Sequence, residues 1–167
     1  MMKKCVFAVL LALTVSVAGA QNYKLQSAYI YGFTRYIIWP EDHNQGDFEI
    51  MVLGESPIIE QLNDMAAKKK VSDRNIKITR INSPSEIRKC NILYLPANQS
   101  AQFATVLAKM LTQPTLLITE EPGLGLKGSD INFIMKDDKL VFELNQAATA
   151  KHNLKISNAL LALAILI

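Results

Sequence analysis

Four stretches of the sequence carry residue types that do chemistry in other proteins. The first is GLGLKG, Gly123 to Gly128, which matches the dinucleotide pattern G-x-G-x-x-G. In a nucleotide site such glycines form a tight strand-to-helix turn, and the helix N-terminus holds the pyrophosphate. Here EEP precedes the glycines and the strand-like INFIM follows them. The pattern supplies no helix for a phosphate, and Glu120 and Glu121 would repel one. Gly123, Gly125 and Gly128 therefore read as turn formers, and the sequence points to no cofactor.

The second is EDH, Glu41 to His43, with His152 far along the chain. A zinc site draws on three or four converging ligands, and these spacings assemble none. EDH reads as a capping or solvent-facing loop after Trp39 and Pro40. The third is Ser56 in GESPI, which lacks the second glycine of a G-x-S-x-G elbow. No acid, base and nucleophile fall together, so no catalytic residue is assigned and the chain reads as a non-enzyme. The fourth is Cys90. Cys5 lies in the apolar N-terminal run, which leaves Cys90 alone. A leftover cysteine can pair between chains, react, or be buried. Its setting, KCNILYLP, reads as the head of a buried strand, where a free thiol behaves as a small inert apolar group. NQS at Asn98 matches a glycosylation sequon, but a helix cap explains it more simply.

These residues must be positioned by elements that the hydrophobic pattern reveals. Asn22 to Ile38 has helical periodicity with a wide apolar arc. Five of the chain's twelve aromatics fall between Tyr29 and Trp39. Tyr29, Phe33, Tyr36 and Trp39 are expected to pack on a sheet, while Lys24, Ser27, Tyr31 and Arg35 share a polar side. Pro40 holds Trp39 extended and ends the helix. DFEIMVLG, NIKITRI, NILYLP and PTLLITE read as strands, separated by helical SPIIEQLNDMAAKKK, SPSEIRKC and NQSAQFATVLAKMLT. Lys68 to Lys70 would sit at a helix C-terminus, where cations are favoured. DINFIMKDDKLVFELN reads as a hairpin turning at KDDK. The last run, Ile156 to Ile167, is expected to be a buried C-terminal helix. The fold class that follows is α/β: one three-layer domain with a mostly parallel central sheet, a C-terminal antiparallel hairpin and a packed N-terminal helix.

Lys3 and Lys4, an apolar run from Cys5 to Val17 and AGA at Ala18 to Ala20 form a secretory signal peptide over residues 1–20. The run is shorter than the ~20 apolar residues that span a bilayer. Cleavage after Ala20 leaves residues 21–167 as one domain and no transmembrane segment. It also removes two of the three net positive charges. What remains lacks the clustered basic face of a nucleic-acid binder.

Three segments in this order resemble one family. They are SAYIYGFTRYIIWP just after the signal sequence, CNILYLP in the middle, and the C-terminal part from GLGLKG to LLALAILI. Ser129-Asp130-Ile131-Asn132-Phe133, Phe142-Glu143-Leu144-Asn145 and Leu154-Lys155-Ile156-Ser157 resemble the hairpin and closing motifs of the YfiR/HmsC-type periplasmic proteins. The resemblance covers essentially the whole exported chain. It implies a non-catalytic periplasmic regulatory module. Relatives hold back a membrane diguanylate cyclase by docking on its periplasmic part, and so control biofilm formation. Some relatives carry disulfide-forming cysteine pairs. Cys90 has no partner, so that control does not carry over.

Two sites are expected. Tyr31 and Arg35 are available to a protein partner, since both residue types are enriched in binding hot spots. The partner is a membrane signalling protein, with a homodimer as the other open assembly. The alternative is a small-molecule site in the crevice at the carboxyl ends of the parallel strands. It would draw on Glu55, Ser56, Asn82, Ser83 and Asn98, in loops that also include Glu120-Glu121-Pro122. N-terminal sequencing of the exported protein is expected to begin at or near Gln21. A membrane-bound product that retains Met1 would contradict the signal-peptide reading.

Overall fold

A computed structural model of the protein describes residues 22–167. The expected signal peptide lies outside the described residues. A helix over residues 22–36 (α1) runs directly into β1 (Ile37–Ile38). Then come β2 (Phe48–Leu53), α2 (Ile58–Ala66), β3 (Lys70–Val71), β4 (Arg74–Ile81), β5 (Ile92–Leu95) and α3 (Phe103–Met110). The chain continues through β6 (Leu116–Thr119), β7 (Ile131–Lys136), β8 (Lys139–Leu144) and α4 (Gln146–Lys151). It closes with β9 (Lys155–Ile156), α5 (Asn158–Leu161) and β10 (Ile165–Leu166).

The main sheet has eight strands in the order β10-β8-β7-β6-β5-β2-β4-β3. Strands β4, β2, β5, β6 and β7 are parallel, and β8 returns antiparallel to β7. The alternation of strand side chains builds a core on each face. Ile50, Val52, Ile92, Tyr94, Leu116 and Ile118 face Ile30 and Phe33 of α1 and Ile58 and Leu62 of α2. Met51, Leu53, Leu93, Leu95 and Leu117 face Phe103, Val106 and Met110 of α3. This is the expected three-layer α/β domain. The β7–β8 turn falls at Asp137 and Asp138, with φ of 50° and 58°. Paired left-handed residues are what a two-residue hairpin turn requires, and aspartate tolerates them.

The aromatic helix divides its faces differently from the expectation. Phe33 and Trp39 are buried, and Phe33 packs edge-on to Phe142 with ring centroids 5.1 Å apart. Tyr29 is half-buried beside Phe133 and Phe142. Tyr36, expected in the core, is exposed, because α1 ends there and β1 begins at the next residue. Ser27, expected on the polar side, is buried and donates to the Gln61 carbonyl of α2 at 3.0 Å. A small hydroxyl that can serve a neighbouring backbone fits a helix–helix contact where a longer polar chain does not.

Three further expectations are corrected. The C-terminal run is not one buried helix. Residues 155–156 pair with β1 as β9, only four residues form α5, and Ile165–Leu166 add β10 to the sheet edge beside β8. Leu163 and Leu166 are exposed. Lys70 does not extend α2 but starts β3, which pairs antiparallel with β4. His43 does not face solvent; it is buried in a short 3-10 turn, Glu41–His43.

Asn91, just before β5, fastens the amino end of the sheet. Its backbone N–H donates to Glu49 O at 2.9 Å, and its carbonyl accepts from Trp39 Nε1 at 3.0 Å and Leu116 N at 2.9 Å. Its side-chain Oδ1 accepts from Glu49 N at 3.0 Å and Arg74 Nη2 at 3.1 Å, and its Nδ2 donates to His43 O at 3.1 Å. Next to it, Cys90 is buried, and burial pushes its thiol up to about 12. At mildly alkaline pH native Cys90 is therefore expected to react slowly with a thiol reagent and quickly in denaturant. Above its unfolded value the thiol ionises more readily in the unfolded chain, so stability falls as pH rises towards the folded value. Cys90→Ala should reduce that loss, measured by denaturant melts at pH 8 and pH 10. A rapidly labelled native thiol would contradict the assignment.

Candidate functional site

The parallel strands bring the expected crevice loops to one edge of the sheet. After β2 the chain turns at Gly54, with φ of 76°, a conformation that favours glycine. A side chain there would also meet Gln99, whose Nε2 lies 2.7 Å from the Cβ position. Glu55 and Asn98 are joined by a 3.0 Å bond from Asn98 Nδ2 to the Glu55 carbonyl. Arg80 pairs with the Glu55 carboxylate and donates to Asn82 Oδ1 at 3.2 Å. Ser83 caps the following turn, its N–H donating to Glu86 Oε1 at 3.1 Å. Glu55, Asn82 and Asn98 are thus linked by contacts, with Gln99 laid over Gly54 between β2 and β5. Ser56 stands apart from that chain of contacts, beside the Tyr23 hydroxyl of α1.

Tyr23 leads to a cavity at the same edge, two strands along. It has a volume of about 550 Å³ and lies between α1, the end of β6 and the β7–β8 hairpin. Glu120 and Glu143 supply its charge, and Phe133, Met135 and Leu140 supply an apolar wall. No Lys, Arg or His lines it among the described residues. Glu120 is held by four donors. Its Oε2 lies 2.7 Å from the Tyr94 hydroxyl and 3.2 Å from Gln26 Nε2, and its Oε1 lies 3.0 Å from Ala97 N and 3.5 Å from the Tyr23 hydroxyl. Tyr94 is fully buried and shares its hydrogen with Gln26 Oε1 at 2.5 Å. Burial, followed by the Glu120 charge, raises the Tyr94 phenol well above its ordinary value. Burial and Glu120 raise Tyr23 in the same way, against a smaller opposing effect from Ser56. Both phenols therefore remain donors to the carboxylate at neutral pH.

The sequence did carry a signal for this cluster. A hydroxyl in the apolar strand NILYLP must find a partner when buried. Glu120 also stood in an expected crevice loop, but the partnership of Tyr94, Gln26 and Glu120 is set by the docking angle of α1, which periodicity does not specify.

Tyr31 and Arg35 lie on the opposite side of α1. Arg35 is exposed, with its guanidinium carbon 5.3 Å from the Tyr31 ring centre. Lys69 lies 5.7 Å from the same ring, an arrangement that attracts cations to the π-face. Tyr31 is half-buried and donates to the Lys70 carbonyl at 3.3 Å. It borders a groove of about 390 Å³ between α1 and α2, whose charged lining is Lys24, Lys68, Lys69 and Asp64. The surface around the two expected partner residues is therefore basic.

An acid–base pair is present elsewhere. Asp130 and His152 are buried, with His152 Nδ1 2.9 Å from both carboxylate oxygens. Burial raises the Asp130 carboxyl, against opposing effects from His152 and from the Leu117 N–H, which donates to Oδ2 at 2.7 Å. The neighbouring Ser129 hydroxyl is committed to Thr119 and to the Leu117 and Ile131 carbonyls. The pair ties α4 to β6 and β7. Tyr94→Phe is expected to lower stability by about 1.5–3 kcal/mol, the range for a hydrogen bond to a charged group. Thermal or urea melts of the variant check this, and an unchanged melt would show that Glu120 does not depend on that donor.

The family described as YfiR/HmsC-like matches residues 23–165, which include every strand and helix described above except the ends of α1 and β10. The chain belongs to that family. Membership carries a periplasmic regulatory role in general terms. A search of the curated proteins returns no match. No helix among the described residues is long and apolar enough to cross a membrane.

Proposed function

We propose that this member of the YfiR/HmsC-like family is a non-catalytic periplasmic module that restrains a membrane diguanylate cyclase by docking on its periplasmic part. The observation that supports this reading is the surface of α1. Tyr31 and Arg35, with Lys24, Lys68 and Lys69 around the adjoining groove, present an aromatic ring among cations. A complementary partner surface is acidic, and such complementarity sets association rate and partner choice. Arg35→Glu and Lys69→Glu test it well because both side chains are exposed. Each variant should change stability by no more than about 0.5 kcal/mol. In the producing cell, loss of the protein should raise cyclic di-GMP and biofilm. The wild-type gene should reverse both, and the double variant should not. If loss of the protein leaves cyclic di-GMP unchanged, the restraint reading fails. If the double variant complements fully, the docking face lies elsewhere.

A second reading is supported by the 550 Å³ cavity. It is a small-molecule site at the carboxyl edge of the sheet, where open α/β sheets bind ligands. Two carboxylates and an apolar wall suit a compact organic cation. A thermal-shift series with hydrophobic primary amines separates the readings, since docking alone predicts no response.

A further inference from the structure

The opposite edge of the sheet holds a second polar cavity, unlike the first in sign. It has a volume of about 300 Å³ and lies at the amino ends of β2, β4 and β5. His43, Arg74, Lys77 and Lys89 line it, together with Asp47 and Glu49. His43 is 8% exposed, yet its ring lacks good partners. Nδ1 is 3.5 Å from Asp42 Oδ1, too long for a good hydrogen bond, and Nε2 has no partner among the described residues. An unsatisfied buried donor or acceptor is costly, and its persistence calls for an explanation.

The placement of this imidazole is not loose. Asn91 Nδ2 fixes the His43 carbonyl at 3.1 Å, and Lys89 Nζ fixes the Asp42 carbonyl at 2.6 Å. Burial, then the Lys89 charge, lowers the His43 pKa, against a weaker opposing pull from Asp42. The ring is therefore neutral at neutral pH and offers one N–H. The cations beside it are only partly neutralised. Glu49 is engaged by Arg88 at 2.5 and 2.6 Å, by the Thr79 hydroxyl at 2.6 Å, and by Lys77 at 3.8 Å. Arg74 donates to neutral oxygens: Gly46 O and Asp47 O at 2.8 Å, Asn91 Oδ1 at 3.1 Å and Gln45 O at 3.4 Å. Lys89 likewise donates to a carbonyl. Counting Arg88 and Asp42 with the lining residues, four cations face three carboxylates, Asp42, Asp47 and Glu49.

We propose that this cavity is a binding site for a phosphate-type oxyanion, held by His43 Nε2–H, Lys89 and Lys77 beside the fixed guanidinium of Arg74. Several oxygens on one centre suit converging donors from separate elements, and charge-assisted bonds of this kind are the strong ones. The site is independent of the docking face and of the cavity at Glu120.

The test is titration of the protein with inorganic phosphate at constant ionic strength, with chloride as the balancing salt. The His43 ring signals are followed by NMR and identified by their loss in His43→Gln. A saturable shift absent in chloride is expected. Lys89→Met, an exposed substitution checked by its melting curve, should weaken binding at least tenfold. Glycerol 3-phosphate forms a second arm. A tighter response assigns the remaining volume to an organic group, and an equal one assigns free phosphate; each supports the site. A phosphate response no larger than that of chloride overturns it. So does unchanged affinity in a natively folded Lys89→Met. An equal response to succinate overturns the phosphate-type assignment.

Discussion

The architecture depends on satisfying polar backbone where a parallel sheet meets its covering layers. Strands buried on both faces leave no water to serve groups at their ends. At the amino edge Asn91 meets this constraint with one side chain and its own backbone. It bonds residues from the loop after α1, from β2 and from the first position of β6, and it takes a donor from Arg74 at the start of β4. Trp39 is held through the same residue and packs edge-on against Phe48 with centroids 5.1 Å apart. The exit of the aromatic helix is thereby tied to the sheet. An apolar residue at position 91 would leave the Glu49 N–H, the His43 carbonyl and an Arg74 donor without that partner.

At the carboxyl edge a different residue meets the same constraint. Glu120 gathers two phenols, an amide and a backbone N–H from α1, β5 and the turn after β5. The two edges consequently differ in electrostatic character. The cavity at Glu120 contains carboxylates without a lining cation among the described residues, whereas the cavity at His43 has cations in excess of carboxylates. Net charge near zero over the described residues hides this separation, because it averages two local fields of opposite sign.

Much of the fold was legible because continuous apolar runs between helical segments have few alternatives. IMVL, ILYL and LLIT can be satisfied only when covered on both faces, and each forms a buried strand. The hairpin was legible from alternation around KDDK. The C-terminal LLALAILI was not, since a short apolar run fits helix or strand equally and the choice falls to a tertiary partner, here β8. Local composition also misled at His43. EDH has the makeup of a solvated loop, yet Asn91 draws its backbone inward from 48 positions away. Of the crevice residues, Glu55, Asn82 and Asn98 were grouped because each lies in a loop after a parallel strand, but their adjacency depends on the strand order β5-β2-β4, which the sequence does not specify. The cavity two strands along was not legible, because its walls come from the angle of α1 and the curl of the hairpin.

Helix α1 joins the two functional readings physically. Tyr23 and Gln26 on one side bond Glu120 at the cavity, and Tyr31 and Arg35 further along the helix form the basic face. Ser27 fastens the same helix to α2, which carries the groove's other wall. A cation entering the cavity would compete with the phenol and amide donors for Glu120 and so act on the helix that carries Tyr31. If both readings hold, ligand and protein partner contact one rigid element, and the effect of each on the other's affinity must be reciprocal. A ligand that leaves the position of α1 unchanged would produce no such coupling, however tightly it bound.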